Sequence, residues 1–117
     1  MLQITSKHRV FLAVNPVDFR MGIDGLARLC QGILHQSPRS GHFFVFRNRR
    51  GQSIKILTYD GQGFWLCQKR LSAKWFVHWP KADSQALYLT PEQLQVLLRN
   101  GDPAQVRGTD DWQSISD

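Results

Sequence analysis

The sequence predicts an α+β fold, in which an antiparallel sheet of about four to five strands carries two helices packed on one face. Three apolar segments, at 43–47, 53–59 and 64–70, follow one another with short, turn-rich connectors. Connectors that short predict antiparallel neighbours. Two other segments repeat apolar residues at helical spacing. The apolar fraction of 42% in 117 residues is enough for one hydrophobic core.

A strand and a helix are predicted before these three segments. Residues 10–14 form a short apolar run followed by Asn15 and Pro16, which is typical of a buried strand that ends in a turn. Residues 22–35 carry an apolar stripe at helical spacing. Asp24 suits the positive end of that helix dipole. The N-terminal part of the chain is therefore predicted to contribute one strand and one helix.

A fourth strand of the sheet and a second helix are predicted after residue 70. The aromatic run Trp75–Trp79 is the strand candidate. The start signals of the helix agree with one another: Thr90 suits the N-cap, Pro91 suits the first helical position, and Gln93 completes a capping box. Periodicity is lost after residue 100. We therefore predict a single α+β domain over residues 1–100 and an acidic, loose C-terminal tail over residues 101–117.

The compartment is indicated by what the sequence lacks. No apolar run approaches the roughly 18–20 residues that span a bilayer, and the first residues lack the pattern of a signal peptide. Cys30 and Cys67 do not have CxxC spacing and are predicted to be buried free thiols. A cytoplasmic protein without membrane contact is expected.

Positive charge is concentrated in the middle of the chain. Residues 41–82 carry eight Lys and Arg against one Asp, a net charge of +7, whereas residues 83–117 carry two against six, a net charge of −4. Like charges on adjacent strands repel one another, so an anionic partner is the simplest explanation, and nucleic acid is the commonest large anion in a cell. A solvated basic surface is the alternative interpretation.

The basic residues predicted to bind nucleic acid lie on or beside the predicted hairpin. Three are expected at its tip, where Gly51 suits a turn, and three along the sheet. Arginine binds phosphate through two donors at once, and nearby aromatic side chains can stack on unpaired bases. The six residues are Arg47, Arg49, Arg50, Lys55, Lys69 and Arg70.

The sequence contains no pattern typical of an enzyme. Metal-ligand spacing, a phosphate-binding glycine loop and a nucleophile elbow are all missing. We therefore predict no catalytic residue, no metal, no cofactor and no small-molecule substrate. Asp18, Arg20 and Asp24 form a second polar cluster, interpreted as a structural hinge or a contact to a partner. A small nuclease that binds a metal through Asp18, Asp24 and Asp60 is an alternative.

Several short motifs occur in order over residues 10–98. They are Pro16–Arg20, Gly22–Leu26, Gly41–Gly51, Ile54–Leu57, Asp60–Phe64, Lys69–Leu71, Trp79–Pro80 and Leu89–Leu94. With these spacings the chain resembles the small second-reading-frame proteins, named TnpB or Orf2, of the bacterial insertion sequence 66 family. Met21 departs from the pattern, since that family usually has Lys or Arg there.

The resemblance implies an accessory protein of transposition, encoded beside the larger transposase that cuts and joins DNA. Its implied partners are DNA and the transposase or other proteins of the same element. Combined with the basic hairpin, this predicts a non-enzymatic DNA-binding or assembly factor. A module that contacts only the transposase, and never DNA, explains the same motifs and is kept as an alternative.

Overall fold

A computed structural model describes residues 8–106 and the backbone of residues 113–114. The chain forms one sheet with the strand order β4-β3-β2-β1-β5-β6. Its strands are β1 (Val10–Ala13), β2 (Phe43–Arg47), β3 (Ser53–Tyr59), β4 (Phe64–Arg70), β5 (Ala86–Leu89) and the short β6 (Gln113–Ser114). The helices are α1 (Ile23–Gly32) and α2 (Pro91–Leu98).

The α+β class is confirmed, but the sheet is mixed and not antiparallel throughout. β2, β3 and β4 form the predicted antiparallel meander. β1 and β2 run parallel, with Val10 opposite Phe43 and Leu12 opposite Val45. The reason is α1, which lies between them in sequence and returns the chain to the end of the sheet where β1 began. As a result, the carboxyl ends of β1 and β2 lie side by side at the same end of the sheet.

The two helices lie on opposite faces of the sheet, and the prediction of one shared face is wrong. Val10 and Leu12 point towards Leu94 and Leu97 of α2, on what we call the α2 side. Phe11 and Ala13 belong to a second core with α1, on the α1 side. Strands buried on both faces are apolar at every position, which is what β1 and most of β2 show.

The N-terminus of α2 forms as predicted. Gln93 N–H donates to Thr90 Oγ1 over 3.1 Å, and Thr90 N–H donates to Gln93 Oε1 over 2.8 Å, so the capping box is complete. Two orphan donors of the first turn are thereby satisfied. The same region extends past the helix, where Pro103 is buried and its carbonyl oxygen accepts a bond from Gln93 Nε2 over 3.4 Å.

The predicted strand at Trp75–Trp79 is wrong, because this segment is a loop. The chain leaves β4 at one side of the sheet and must reach β5 beside β1, so residues 71–85 cross the ends of the strands between them. Phe76 and Trp79 are buried in the α2-side core, and Trp79 Nε1 donates to the Val14 carbonyl oxygen over 3.2 Å. Trp75 and Val77 remain exposed.

One of the two cysteines is placed differently from the prediction. Cys30 is buried in the α1-side core, as expected, and burial raises the pKa of its thiol to about 12. Cys67 is exposed, because β4 is an edge strand on which most side chains are exposed. Part of the predicted tail also has structure: Pro103–Gln105 form a 3-10 turn, and Gln113–Ser114 pair with β5. Residues 107–112 and 115–117 of that tail lie outside the described residues, so its looseness stays a prediction.

Candidate nucleic-acid interface

The connection between β2 and β3, residues 48–52, forms a tight turn that we call the arginine turn. The side chain of Asn48 closes it, because Oδ1 accepts bonds from the backbone N–H groups of Gln52 over 3.0 Å and Ser53 over 3.1 Å. Gly51 has a φ of +71°, a conformation that L side chains rarely adopt. Arg49 and Arg50, the two residues before Gly51, are exposed at the end of the sheet.

The loop that follows β1 lies against this turn. Val17 N–H donates to the Arg47 carbonyl oxygen over 2.9 Å, which ties the two segments together. They meet because β1 and β2 are parallel neighbours, so the segments that follow them leave the sheet at the same end of the strands. In open α/β sheets, ligands commonly bind in the crevice beyond the carboxyl ends of parallel strands. Between the segments is an open cleft of about 480 Å³, lined by Val17, Asp18, Phe19, Arg20, Asn48, Arg49 and Arg50.

Asp18 and Arg20 form an ion pair in the wall of this cleft. Arg20 Nη2 lies 2.6 Å from Asp18 Oδ2, and the backbone N–H of Arg20 donates to Oδ1 over 2.9 Å. These hydrogen bonds lower the pKa of Asp18 from 3.8 to about 2, with a smaller contribution from the positive charge of Arg49. The carboxylate is therefore ionised at neutral pH, and it orients the exposed guanidinium of Arg20.

Arg47 does not join Arg49 and Arg50 at the tip, although the sequence predicted all three there. Arg47 is the last residue of β2 and points to the α2 side, where its guanidinium lies 5.5 Å from the centre of the Trp79 ring. Nη2 donates to the Val14 carbonyl oxygen over 3.3 Å, and partial burial lowers the pKa of Arg47. This side chain is largely used within the fold.

Lys55 also departs from the predicted surface patch, because it is buried at only 7% exposure. The sequence suggests one buried face for β3, but β3 is a central strand covered on both sides. The Lys55 ammonium donates to the carbonyl oxygens of Phe19 over 2.9 Å and Met21 over 3.0 Å. Its role is to fasten the loop after β1 onto the sheet.

Lys69 and Arg70 are both exposed, but they lie on opposite sides of the sheet because side chains alternate along β4. Lys69 is opposite Ile54 on the α2 side and donates to the Leu98 carbonyl oxygen at the end of α2. Arg70 is opposite Ser53, the residue that follows the arginine turn. Of these two cations, Arg70 is the one that lies at the base of the arginine turn on the α1 side, and the described residues give it no bond to a helix end.

An aromatic side chain that the sequence placed in a strand lies next to the arginine turn. A Cβ built on Gly51 would lie 3.7 Å from the Cβ of Trp75, and Phe76 N–H donates to the Gly51 carbonyl oxygen over 2.7 Å. Trp75 is 61% exposed. Its position beside Gly51 has no local sequence signal, since 24 positions separate the two residues.

The carboxylates of the alternative metal site do not converge. Asp60 lies at the opposite end of β3 from the arginine turn, where Oδ1 accepts from Gln62 N–H over 2.9 Å and Oδ2 from Trp65 Nε1 over 2.8 Å. Asp24 lies in the first turn of α1 and does not line the cleft. Among the described residues, no three His, Cys, Asp or Glu side chains could hold a metal ion together. Neither described helix is long and apolar enough to cross a bilayer.

Comparison with protein families identifies one that covers most of this chain. Residues 8–108 match the family described as IS66 Orf2 like protein. Uncharacterized protein y4hO of Sinorhizobium fredii is 42% identical over 90 residues, which cover 77% of this chain and 77% of that protein. Uncharacterized protein y4jC of the same organism is 35% identical over 99 residues, which cover 85% and 84%. No solved structure matches the chain. Because the family match spans most of the sequence, this protein belongs to the IS66 Orf2-like family of insertion-sequence proteins.

Proposed function

We propose that the protein is a non-enzymatic accessory factor of transposition that binds the DNA backbone through the arginine turn. The family supplies the context of an insertion sequence. The observation that carries the proposal is the arginine turn itself: Arg49 and Arg50 are exposed at the end of the sheet, above a cleft that also contains Arg20. Within the transposition complex, the protein would act beside the transposase or other proteins of the element.

The electrostatics of the turn support phosphate binding. In the described part of the chain, the side chains of Arg49 and Arg50 form no hydrogen bond or ion pair. Asp18 is the carboxylate that lines the cleft, and it is already paired with Arg20. Phosphates can therefore pair with the two guanidinium groups without displacing an internal partner or burying a charge in the core. Arg70, beside the turn on the α1 side, would extend the contact.

A salt titration tests this proposal. Fluorescence anisotropy with labelled duplex DNA should show binding that weakens steeply from about 50 to 200 mM salt, because counterions are released from the phosphates. The slope of log K against log salt is negative, and each phosphate contact contributes about −0.9 to it. The double variant R49E/R50E should therefore reduce the magnitude of this slope by about 2. Thermal melts should show that the exposed turn tolerates both changes.

The matched control is R9E/R39E, which removes the same charge from two exposed residues at the opposite end of the sheet. It should leave the slope nearly unchanged. Equal loss in the two double variants would mean that net charge, and not the arginine turn, drives binding. No binding by the wild type at the lowest salt would favour a module that contacts only proteins.

The non-enzymatic part of the proposal rests on the separation of the carboxylates. Asp18 is paired with Arg20 at one end of the sheet and Asp60 closes a turn at the other. Supercoiled plasmid incubated with the purified protein and magnesium or manganese should stay intact. Nicking that copurifies with the protein and disappears in Asp18→Ala would contradict the proposal.

A further inference from the structure

We propose that Trp75 and the arginine turn form one site for an unpaired nucleotide, in which Trp75 stacks on the base while Arg49 and Arg50 hold the flanking phosphates. This inference rests on the proposed function and names its ligand class more narrowly, as single-stranded or locally unpaired nucleic acid. It starts from the exposure of Trp75, which the fold does not explain.

Trp75 differs from the other described tryptophans. Trp79 is buried, with its Nε1 bonded to backbone carbonyl oxygens. Trp65 is 48% exposed, but its Nε1 donates to Asp60 over 2.8 Å and helps to close the β3–β4 turn. Trp75 is the most exposed of the three, at 61%, and the described residues give its indole no ring contact or hydrogen bond. An aromatic side chain left this open is typical of a binding surface.

The backbone around Trp75 is nevertheless held on both sides. Asn100 Oδ1 accepts from Val77 N–H over 3.0 Å, and Asn100 Nδ2 donates to the Trp75 carbonyl oxygen over 3.3 Å. Phe76 N–H donates to the Gly51 carbonyl oxygen, and its ring is buried in the α2-side core. Asn100 itself has a φ of +62°, which few residues other than glycine adopt. The fold thus presents a solvent-exposed indole from a fixed backbone, so little order is lost on stacking.

The position of Trp75 decides which ligand it suits. It lies beside Gly51, directly after the two exposed arginines, and its own neighbour Lys74 is also exposed. A flat apolar ring among cations suits a ligand that alternates aromatic faces with negative charges, which describes a nucleic-acid strand. In a duplex the base faces are stacked on each other, so stacking on Trp75 requires at least one unpaired base. An acidic protein surface could satisfy the charges but would not need an aromatic face.

The test compares one strand and its duplex in the same assay. We expect the wild-type protein to bind a single strand of about ten nucleotides, and its affinity per phosphate charge should be higher for this strand than for the duplex of the strand with its complement. Trp75→Ala should weaken single-strand binding about tenfold, the order expected for one lost base stack, and leave duplex binding within about twofold. Trp75→Phe should keep most of the single-strand affinity. Indole fluorescence should be quenched by the single strand in the wild type and not in Trp75→Phe.

Asn100→Ala provides a second test, because Asn100 positions Trp75 without touching the ligand. It should lower the single-strand preference in the same direction as Trp75→Ala, while R49E/R50E should lower binding to both nucleic acids. If Trp75→Ala binds both ligands like the wild type, the stacking inference is overturned although the arginine turn stands. If the wild type binds neither ligand, the proposed function fails as well, and binding of the transposase that depends on Trp75 would assign this surface to a protein partner.

Discussion

The ammonium of Lys55 lies 2.9 Å from the carbonyl oxygen of Phe19 and 4.8 Å from the centre of the Phe19 ring. Through this contact and a second bond to the Met21 carbonyl oxygen, a buried cation on β3 fixes the loop that forms one wall of the cleft. Lys55 therefore holds one wall of the candidate site in place from within the sheet, and its ammonium does not face a ligand.

Lys55→Met should destabilise the protein by about 1–3 kcal/mol, because it leaves two carbonyl oxygens of the loop without their donor. Urea unfolding monitored by circular dichroism would measure the loss. Lys81→Met is a suitable control, since Lys81 is exposed and its replacement should change stability by less than about 0.5 kcal/mol. A Lys55→Met protein as stable as this control would contradict the role given to the buried ammonium.

The ion pair of Asp18 and Arg20 predicts a measurable pKa. Hydrogen bonds from Arg20 lower the pKa of Asp18 from 3.8 to about 2. Since the folded pKa lies below the ordinary one, the pair stabilises the fold above pH 3.8, and this contribution is lost as the pH falls through about 2. Arg20→Gln should raise the pKa of Asp18 towards 3.8, as followed by NMR of the carboxyl carbon. An unchanged pKa in the variant would show that the pair does not persist in solution.

The parts of the fold that the sequence predicts correctly depend on local signals. The short connectors between β2, β3 and β4 force adjacent antiparallel pairing, and the capping box at Thr90 marks the start of α2. The parallel pairing of β1 with β2 depends on where α1 packs, which no short segment encodes. The same is true of the burial of Lys55, because it follows from the position of β3 inside the sheet, where both faces of the strand are covered.

In the candidate site, too, some features follow from local sequence signals and others depend on how distant segments pack. The exposure of Arg49 and Arg50 follows from a local turn, and it is predictable from Gly51 and its neighbours. The meeting of the arginine turn with the loop after β1 could not be predicted, because it depends on the parallel register of β1 and β2. Trp75 shows the same limit: the aromatic run 75–79 predicts a strand, yet only Phe76 and Trp79 of this run are buried, and Trp75 lies exposed beside Gly51.

The two cysteines should react at very different rates with a thiol reagent. Cys67 is exposed on the edge strand β4, whereas Cys30 is buried and its pKa is raised to about 12. The reagent is the disulfide DTNB, which releases thionitrobenzoate when a thiolate attacks it. The native protein should release one equivalent rapidly, from Cys67, and a second only after unfolding in guanidinium. Cys67→Ser should abolish the rapid phase. Two rapid equivalents in the wild type would mean that the core between α1 and the sheet opens readily.

Substitutions at Gly51 should change stability according to how readily the new residue adopts left-handed backbone, and not according to its size. Its φ is +71°, whereas an added Cβ would meet only the Cβ of Trp75 at an ordinary contact distance of 3.7 Å. Left-handed backbone costs an L residue about 1–2 kcal/mol, less for Asn, which adopts it more readily than other residues. Gly51→Asn should therefore be mild, Gly51→Ala intermediate and Gly51→Val the most destabilising in thermal melts. In the binding assay, Gly51→Val should also weaken DNA binding, because relaxation of the turn moves Arg49, Arg50 and Trp75 relative to one another. If the three variants have the same melting temperature, the left-handed turn at Gly51 is not maintained in solution, and the geometry of the proposed site must be revised.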